Sequence, residues 1–292
     1  MSTDNSEDHV YTQDAQRQTE IDQYWTKERM LEAVPVPLPS LTDAEFEALV
    51  LGPAAPAQQM TVPSGEGAPA SAAYPVNVDE RPYWNVGKLF FTTDGGQDMM
   101  GSAAFVGTNR VVMTAGHCVR NKDNGNWYRN FLFIRAGTGH WYGWTGQRVS
   151  LSRIGCYYMW ISGNHKYDYA FCAAASDSGA GWLGLTTDIP YSAFTSLGYP
   201  SNYDSANSMY AADGNKASVS GGIVRMSGNP MGPGCSGGPW VGNLSHDYNP
   251  DANIACGLNS FRYDGDPDSM YGPYFDAETW RLYVCIQTGG QC

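Results

Sequence analysis

The chain has 292 residues, 42% of them hydrophobic and 16% charged, with a formal net charge of −12. No apolar run approaches the roughly 20 residues that a membrane-spanning helix needs, and no basic patch marks a nucleic-acid surface. Abundant Gly, Tyr, Trp, Ser and Asn point to a loop-rich, β-rich, extracellular type of domain and away from a helical one.

The acidity sits at the front. Residues 1–80 hold 14 Asp/Glu against 3 Lys/Arg, whereas the remaining 212 residues hold 15 against 14. Such a front reads in isolation as a solvated tail. Residues 1–30 have no apolar core, so no signal peptide is visible. Residues 11–33 are expected to form a helix with Ile21, Tyr24, Trp25 and Leu31 as apolar positions, stopped by Pro35, Pro37 and Pro39. Thr42 with Glu45 three residues later marks a second helix start through a capping box. Residues 52–75 are rich in Pro, Ala, Gly and Ser and nearly uncharged, the composition of a linker.

From Val76 onward short β-prone runs recur between Gly/Asn/Asp turn signals: 88–92, 103–106, 111–115, 131–135, 149–154, 169–174, 196–199, 217–226, 240–244 and 254–261. Many short strands at close spacing predict a sandwich or a barrel. Residues 277–286 fit a closing helix or a strand.

Three segments carry chemistry. The run Arg110–Ala115 delivers His117 at its end, within Gly116-His117-Cys118. Asp168 stands at the head of the apolar run 169–175, and a carboxylate entering a buried strand needs a donor such as an imidazole N–H. In Gly234-Cys235-Ser236-Gly237-Gly238-Pro239, glycines permit a tight turn that projects the Ser236 hydroxyl. Asp188 and Asp204 compete with Asp168 but sit in turn-like contexts. His140, His165 and His246 read as surface histidines without metal-ligand spacing. Cys235 is a rival nucleophile, but the residue directly before the paired glycines is Ser236.

Taken together, residues 114–118, 168–170 and 235–239 resemble the three signature segments of chymotrypsin-like serine endopeptidases, in the same His, Asp, Ser order. Residues 86–91, 257–261 and 271–275 are similar to the secreted bacterial and fungal subgroup that includes the glutamyl endopeptidases. The resemblance spans roughly residues 76–285. It implies an all-β fold of two six-stranded antiparallel β-barrels with the active site between them. Residues 76–180 would form the first barrel with His117 and Asp168, residues 177–181 part of the crossing, and residues 181–292 the second barrel with Ser236. Residues 24–30 resemble the start of propeptides in this subgroup, so residues 1–75 read as a partly helical pro-segment that ends in the linker.

The implied activity is a serine endopeptidase acting through an acyl-enzyme, with the backbone N–H groups of Gly234 and Ser236 as oxyanion hole. Asn259 and Ser260 stand where the subgroup receives the substrate side chain. No metal or cofactor is expected. The expected partners are polypeptide substrates, with no nucleic acid and no membrane, for a secreted monomer. A protease-like binding module without turnover is the competing reading.

The chain departs from the family pattern in places. Cys235 replaces the acid that usually precedes the nucleophile, which removes the usual N-terminal activation switch. Ser102 stands where a cysteine partner for Cys118 is usual. Pro230, six residues before Ser236, argues against Lys/Arg preference; Arg225 or Arg262 could receive an acidic side chain, and a small or apolar side chain is the competitor. Seven cysteines allow two or three bridges, with Cys156–Cys172, Cys235–Cys256 and Cys285–Cys292 as candidates, although connectivity does not follow from sequence.

Overall fold

The computed structural model describes residues 9–12, 16–51, 72–140 and 143–292. The expected linker falls outside these residues as far as position 71. The front of the chain is not a detached tail. It contributes β1 (Val10–Thr12), α1 (Gln16–Tyr24), α2 (Lys27–Glu32), β2 (Val34–Pro35), β3 (Ser40–Leu41), α3 (Asp43–Leu51) and β4 (Tyr74–Pro75). The single helix expected over residues 11–33 is two helices, because Thr26 is extended and its hydroxyl caps α2 by accepting from Arg29 N–H at 3.4 Å. The capping box at α3 forms as expected. The Glu45 carboxylate accepts from Thr42 N–H at 2.9 Å, and Thr42 Oγ1 accepts from Glu45 N–H at 3.4 Å.

The next strands are β5 (Val86–Thr92), β6 (Asp98–Phe105), β7 (Val111–Thr114), β8 (Arg129–Arg135), a short hairpin of β9 (Gly139–His140) and β10 (Gly143–Trp144), β11 (Gln147–Gly155) and β12 (Ala170–Ala174). Strands β5, β6, β7, β12, β11 and β8 pair antiparallel in that order, and β8 closes the barrel by pairing with both β5 and β11. Every residue of β5 is buried. A strand buried on both faces needs a second cover besides the barrel interior. The front segment supplies part of it, with the Trp25 ring 5.3 Å from Phe90.

The rest of the chain gives β13 (Gly184–Leu185), β14 (Ala193–Gly198), β15 (Tyr210–Ser220), β16 (Ile223–Ser227), β17 (Pro239–Gly242), β18 (Ile254–Leu258), β19 (Phe261–Tyr263), β20 (Asp266–Pro273) and α4 (Ala277–Thr288). Strands β18, β17, β14, β15, β16 and β20 form a second antiparallel six. Its end strands turn toward each other, and just past β18 the Ser260 N–H donates to the Tyr271 carbonyl at 3.1 Å. The architecture matches the expected double barrel. The run 217–226, expected as one strand, is a hairpin that turns at Gly221–Gly222. Residues 277–288 are a helix: Asp276 accepts from Glu278 and Thr279 N–H, and Thr279 Oγ1 accepts in return from Asp276 N–H.

Cys285 and Cys292 are bridged. The pairs Cys156–Cys172 and Cys235–Cys256 do not form; all four, with Cys118, are free and buried. They serve as small apolar core residues, and some of their thiols point at backbone carbonyls, as Cys235 Sγ does to Met231 O at 3.8 Å and Cys256 Sγ to Trp240 O at 3.5 Å.

Trp25 is the deepest anchor of the front segment. It is 1% exposed, and its indole N–H donates to the Asn130 carbonyl at 2.5 Å. Trp25→Ala is expected to cost about 3–5 kcal/mol, measured by urea unfolding of the full chain. A loss under about 1 kcal/mol would mean that the front segment docks without contributing to the cooperative unit.

Candidate active site

The end of β7 runs straight into a 3₁₀ turn, Gly116–Cys118, that fixes His117 by its backbone as well as its ring. The His117 N–H donates to Asp168 Oδ1 at 2.7 Å, and ring Nδ1 meets Asp168 Oδ2 at 2.8 Å. A carboxylate on that side assigns the ring proton to Nδ1 and leaves Nε2 as the acceptor. Gly116 allows this approach, since a Cβ there would come within 3.1 Å of Asp168 Oδ1 and 3.2 Å of Cys156 Sγ. Asp168 itself is fully buried at the start of β12. Its Oδ2 accepts a third, short hydrogen bond from the Ser260 hydroxyl, which comes from the second barrel.

Burial is the largest single influence on His117 and would lower its pKa, but the Asp168 charge and hydrogen bond, together with the influence of neighbouring Cys118, outweigh it in sum and hold the imidazole above its ordinary 6.5. Asp168 moves the other way. Burial would raise it, and the His117 charge and hydrogen bond, with that of Ser260, keep it below the usual carboxylate value. The stabilisation from His117 is therefore lost as pH rises through its raised pKa. That from Asp168 is lost as pH falls through its lowered one.

Ser236 is fully buried in the turn that precedes β17. Gly237, at φ 82°, seats this turn against the first barrel; any Cβ there would collide with Thr114 Oγ1 and the Ser102 carbonyl. Ser102 is a residue whose role the sequence did not disclose. Its N–H donates to the Ser236 carbonyl at 2.8 Å, and its hydroxyl donates to the Gly234 carbonyl at 2.9 Å and accepts from Tyr199 N–H at 3.0 Å. The one available signal was its position opposite Cys118, whose Sγ lies 3.9 Å from the Ser236 carbonyl. Among the described residues, Ser236 Oγ and His117 Nε2 are buried and have no hydrogen-bond partner. Those are the two atoms that a nucleophile and its base must keep available.

The thiol of Cys235 is fully enclosed, and burial pushes its pKa up to about 12. A thiol so held is not a nucleophile near neutral pH. Asn259 and Ser260 have other partners than those expected of substrate-binding side chains. Asn259 is fully buried: its Oδ1 accepts from Ser196 Oγ at 2.8 Å, Asn229 Nδ2 at 3.0 Å and Trp240 Nε1 at 2.8 Å, and its Nδ2 donates to the Cys235 carbonyl at 3.2 Å. An amide so enclosed, with its oxygen accepting three hydrogen bonds, is out of reach of a ligand. It braces the Ser236 turn, while Ser260 braces Asp168.

His165 is not a surface residue. It is 5% exposed, its ring lies between Trp160 (5.4 Å) and Phe261 (4.7 Å), and burial lowers its pKa. His246 is exposed and meets the Arg81 carbonyl at 2.7 Å, while the His140 side chain lies outside the described residues. Asp188 and Asp204 sit in turns at positive φ, 60° and 31°. No cluster of metal-ligating side chains occurs among the described residues, and none of their helices is long and apolar enough to cross a membrane.

Residues 101–245 match the trypsin-like peptidase domain family, just under half of the chain. Among solved structures, a thermostable serine protease, AL20, from an extremophilic microorganism is 25% identical, covers 70% of this chain and 97% of its own, and has a TM-score of 0.59. The protease Anisep from Arthrobacter nicotinovorans is 24% identical over 73% of this chain and 97% of its own, with a TM-score of 0.60. A Glu endopeptidase, solved in complex with MPD, shares the fold at 15% identity over 74% and 96%, again with a TM-score of 0.60. No curated protein matches the chain in sequence. The chain thus resembles the chymotrypsin/trypsin-like serine endopeptidases in family model and in fold, and these similarities support a serine peptidase, a hydrolase.

The electrostatic pairing is open to direct measurement. Followed by NMR, the His117 ring should titrate above 6.5 in the native chain and fall below that in Asp168→Asn, where burial acts without the opposing charge. An unchanged titration in the variant would show that the carboxylate does not set the state of the imidazole.

Proposed function

We propose that the protein is a secreted serine endopeptidase, made with residues 1–75 as a pro-segment, that hydrolyses peptide bonds through an acyl-enzyme. The observation that carries this reading is the hydrogen-bonded chain Ser260, Asp168, His117, which ends at an unpartnered Nε2, together with a Ser236 hydroxyl that is likewise buried and without a partner among the described residues. Ser236 Oγ attacks the substrate carbonyl carbon while His117 Nε2 takes the hydroxyl proton. The carbonyl oxygen becomes an oxyanion held by the N–H groups of Gly234 and Ser236. When the C–N bond breaks, His117 returns the proton to the leaving amine and the acyl group stays on Ser236. Water then enters by the same proton path and releases the acid. Asp168 keeps the ring in one tautomer and stabilises the imidazolium. An oxyanion-hole donor contributes about 2.7–4 kcal/mol in related chemistry.

Substrate preference in this reading rests on Arg262. Arg225 is already paired with Asp266 at 2.6 Å. Arg262 donates instead to four carbonyls, of Asn229, Met231, Pro267 and Ser269, at 2.6–3.0 Å, and has no carboxylate within 4.0 Å among the described residues. Two of those carbonyls belong to the segment just before Ser236. An uncompensated cation there favours an acidic substrate side chain.

Ser236→Ala should lower kcat by about 10⁴–10⁶ and abolish labelling by a fluorophosphonate. Retention of either would refute the nucleophile, and a folded chain that is never labelled even after cleavage in the linker would favour the binding-module reading. Arg262→Ala should narrow or reverse the ratio of cleavage after Glu to cleavage after Leu in a peptide library; an unchanged ratio would remove Arg262 from specificity.

A further inference from the structure

Between α2 and α3 the front segment crosses the molecule as an extended strand. On the first barrel, β2 pairs parallel with β6, and Val36 N–H donates to the Met100 carbonyl at 2.8 Å. On the second, β3 pairs parallel with β19, Arg262 N–H donates to the Pro39 carbonyl at 2.8 Å, and Asp264 N–H to the Leu41 carbonyl at 3.0 Å. Midway, the Val36 carbonyl accepts a hydrogen bond from Gly234 N–H at 3.1 Å. That N–H is one of the two donors assigned above to the oxyanion hole. The other, on Ser236, makes no backbone hydrogen bond among the described residues.

The side chains agree with this path. Val36 is 4% exposed, and Leu38 packs against the apolar cluster that contains Met231 and Cys235, while Pro37 between them faces solvent. Both ends are tethered. Trp25 and the Arg29–Asp98 ion pair, at 2.8 Å, hold the first barrel. Phe46 of α3 stacks on Tyr263 at 4.3 Å and meets Tyr271 edge-on at 5.1 Å. Prolines at 35, 37 and 39 fix φ and remove N–H groups, so the span is already extended before it docks and loses little entropy in docking.

We propose that residues 34–41 are an inhibitory strand that closes the catalytic cleft from within the same chain, with the Val36 carbonyl occupying the Gly234 donor that a substrate carbonyl requires. The proposal rests on the endopeptidase reading above and adds its regulation. Activity appears when the strand leaves the cleft, whether or not the chain has been cut. This replaces the N-terminal switch that Cys235 makes unworkable.

The test uses the full uncut chain and the rate at which a fluorophosphonate labels Ser236. Leu38→Asp puts a charge into the apolar seat, and Phe46→Ala removes the far tether without touching the cleft. Each should label at least ~10-fold faster than the native chain while keeping native circular dichroism, since the loss of a single apolar anchor amounts to several RT. A synthetic peptide of residues 34–41 added in trans should slow the variants again. If the native chain labels as fast as both folded variants, the inhibitory strand is overturned and the endopeptidase stands. If no form labels under any condition, both fall together.

Discussion

A carboxylate sealed from water must be met by donors on every side, and Asp168 is the group whose demands organise this molecule. It is fully buried at the head of β12, and three hydrogen bonds reach it. Two come from His117, at the end of the neighbouring strand of the same barrel. The third comes from Ser260, in the other barrel. Satisfying one charge therefore fixes an imidazole in position and tautomer and docks the two halves of the chain against each other. Loss of either partner would leave an uncompensated charge in the interior, a far larger penalty than the loss of one ordinary hydrogen bond.

The Ser236 turn is tied by the same economy of polar groups. Ser102 from the first barrel and Asn259 from the second each hydrogen-bond to residues 234–236, Ser102 at the Gly234 and Ser236 carbonyls and Asn259 at the Cys235 carbonyl. Neither contact is apolar, so each fixes direction as well as distance, which bulk burial cannot do. Lys88 adds a further seam. It is fully buried, donates to the Ala206 carbonyl across the barrels, and lies over the rings of Trp144 at 4.5 Å and Tyr199 at 5.2 Å. Burial pushes its ammonium well below the usual lysine range. Ser236 and His117 are thus held by a scaffold whose joints are polar and stereospecific.

The front segment carries most of the chain's net acidity, and part of that charge helps to attach it, through the Asp22–Arg148 ion pair at 3.2 Å. It is held by aromatic burial at Trp25 and Phe46 and by backbone pairing with a strand of each barrel. The alternating prolines explain why so short a span holds one shape. A strand without prolines would have to be ordered by those pairings alone.

Much of this was legible in the residues alone. The strands of the first barrel, the capping box at Thr42 and Glu45, and the pairing of His117 with Asp168 were legible from local pattern, because turn chemistry, period-2 burial and a buried acid at a strand head are each written within a few neighbouring positions. What the sequence could not carry was anything settled by residues far apart. Ser260 and Asn259 looked like substrate contacts, and only folding turned them toward Asp168 and the Ser236 turn. His165 looked like a surface group until Trp160 and Phe261 enclosed it. Cys156, Cys172, Cys235 and Cys256 offered bridges by count, but core packing holds them as separate thiols. The prolines at 35, 37 and 39 announced a break in a helix, while the tertiary structure paired that break with a strand of each barrel. Composition and spacing specify which local shapes are available; which polar group meets which is decided by the closing of two barrels on one buried charge.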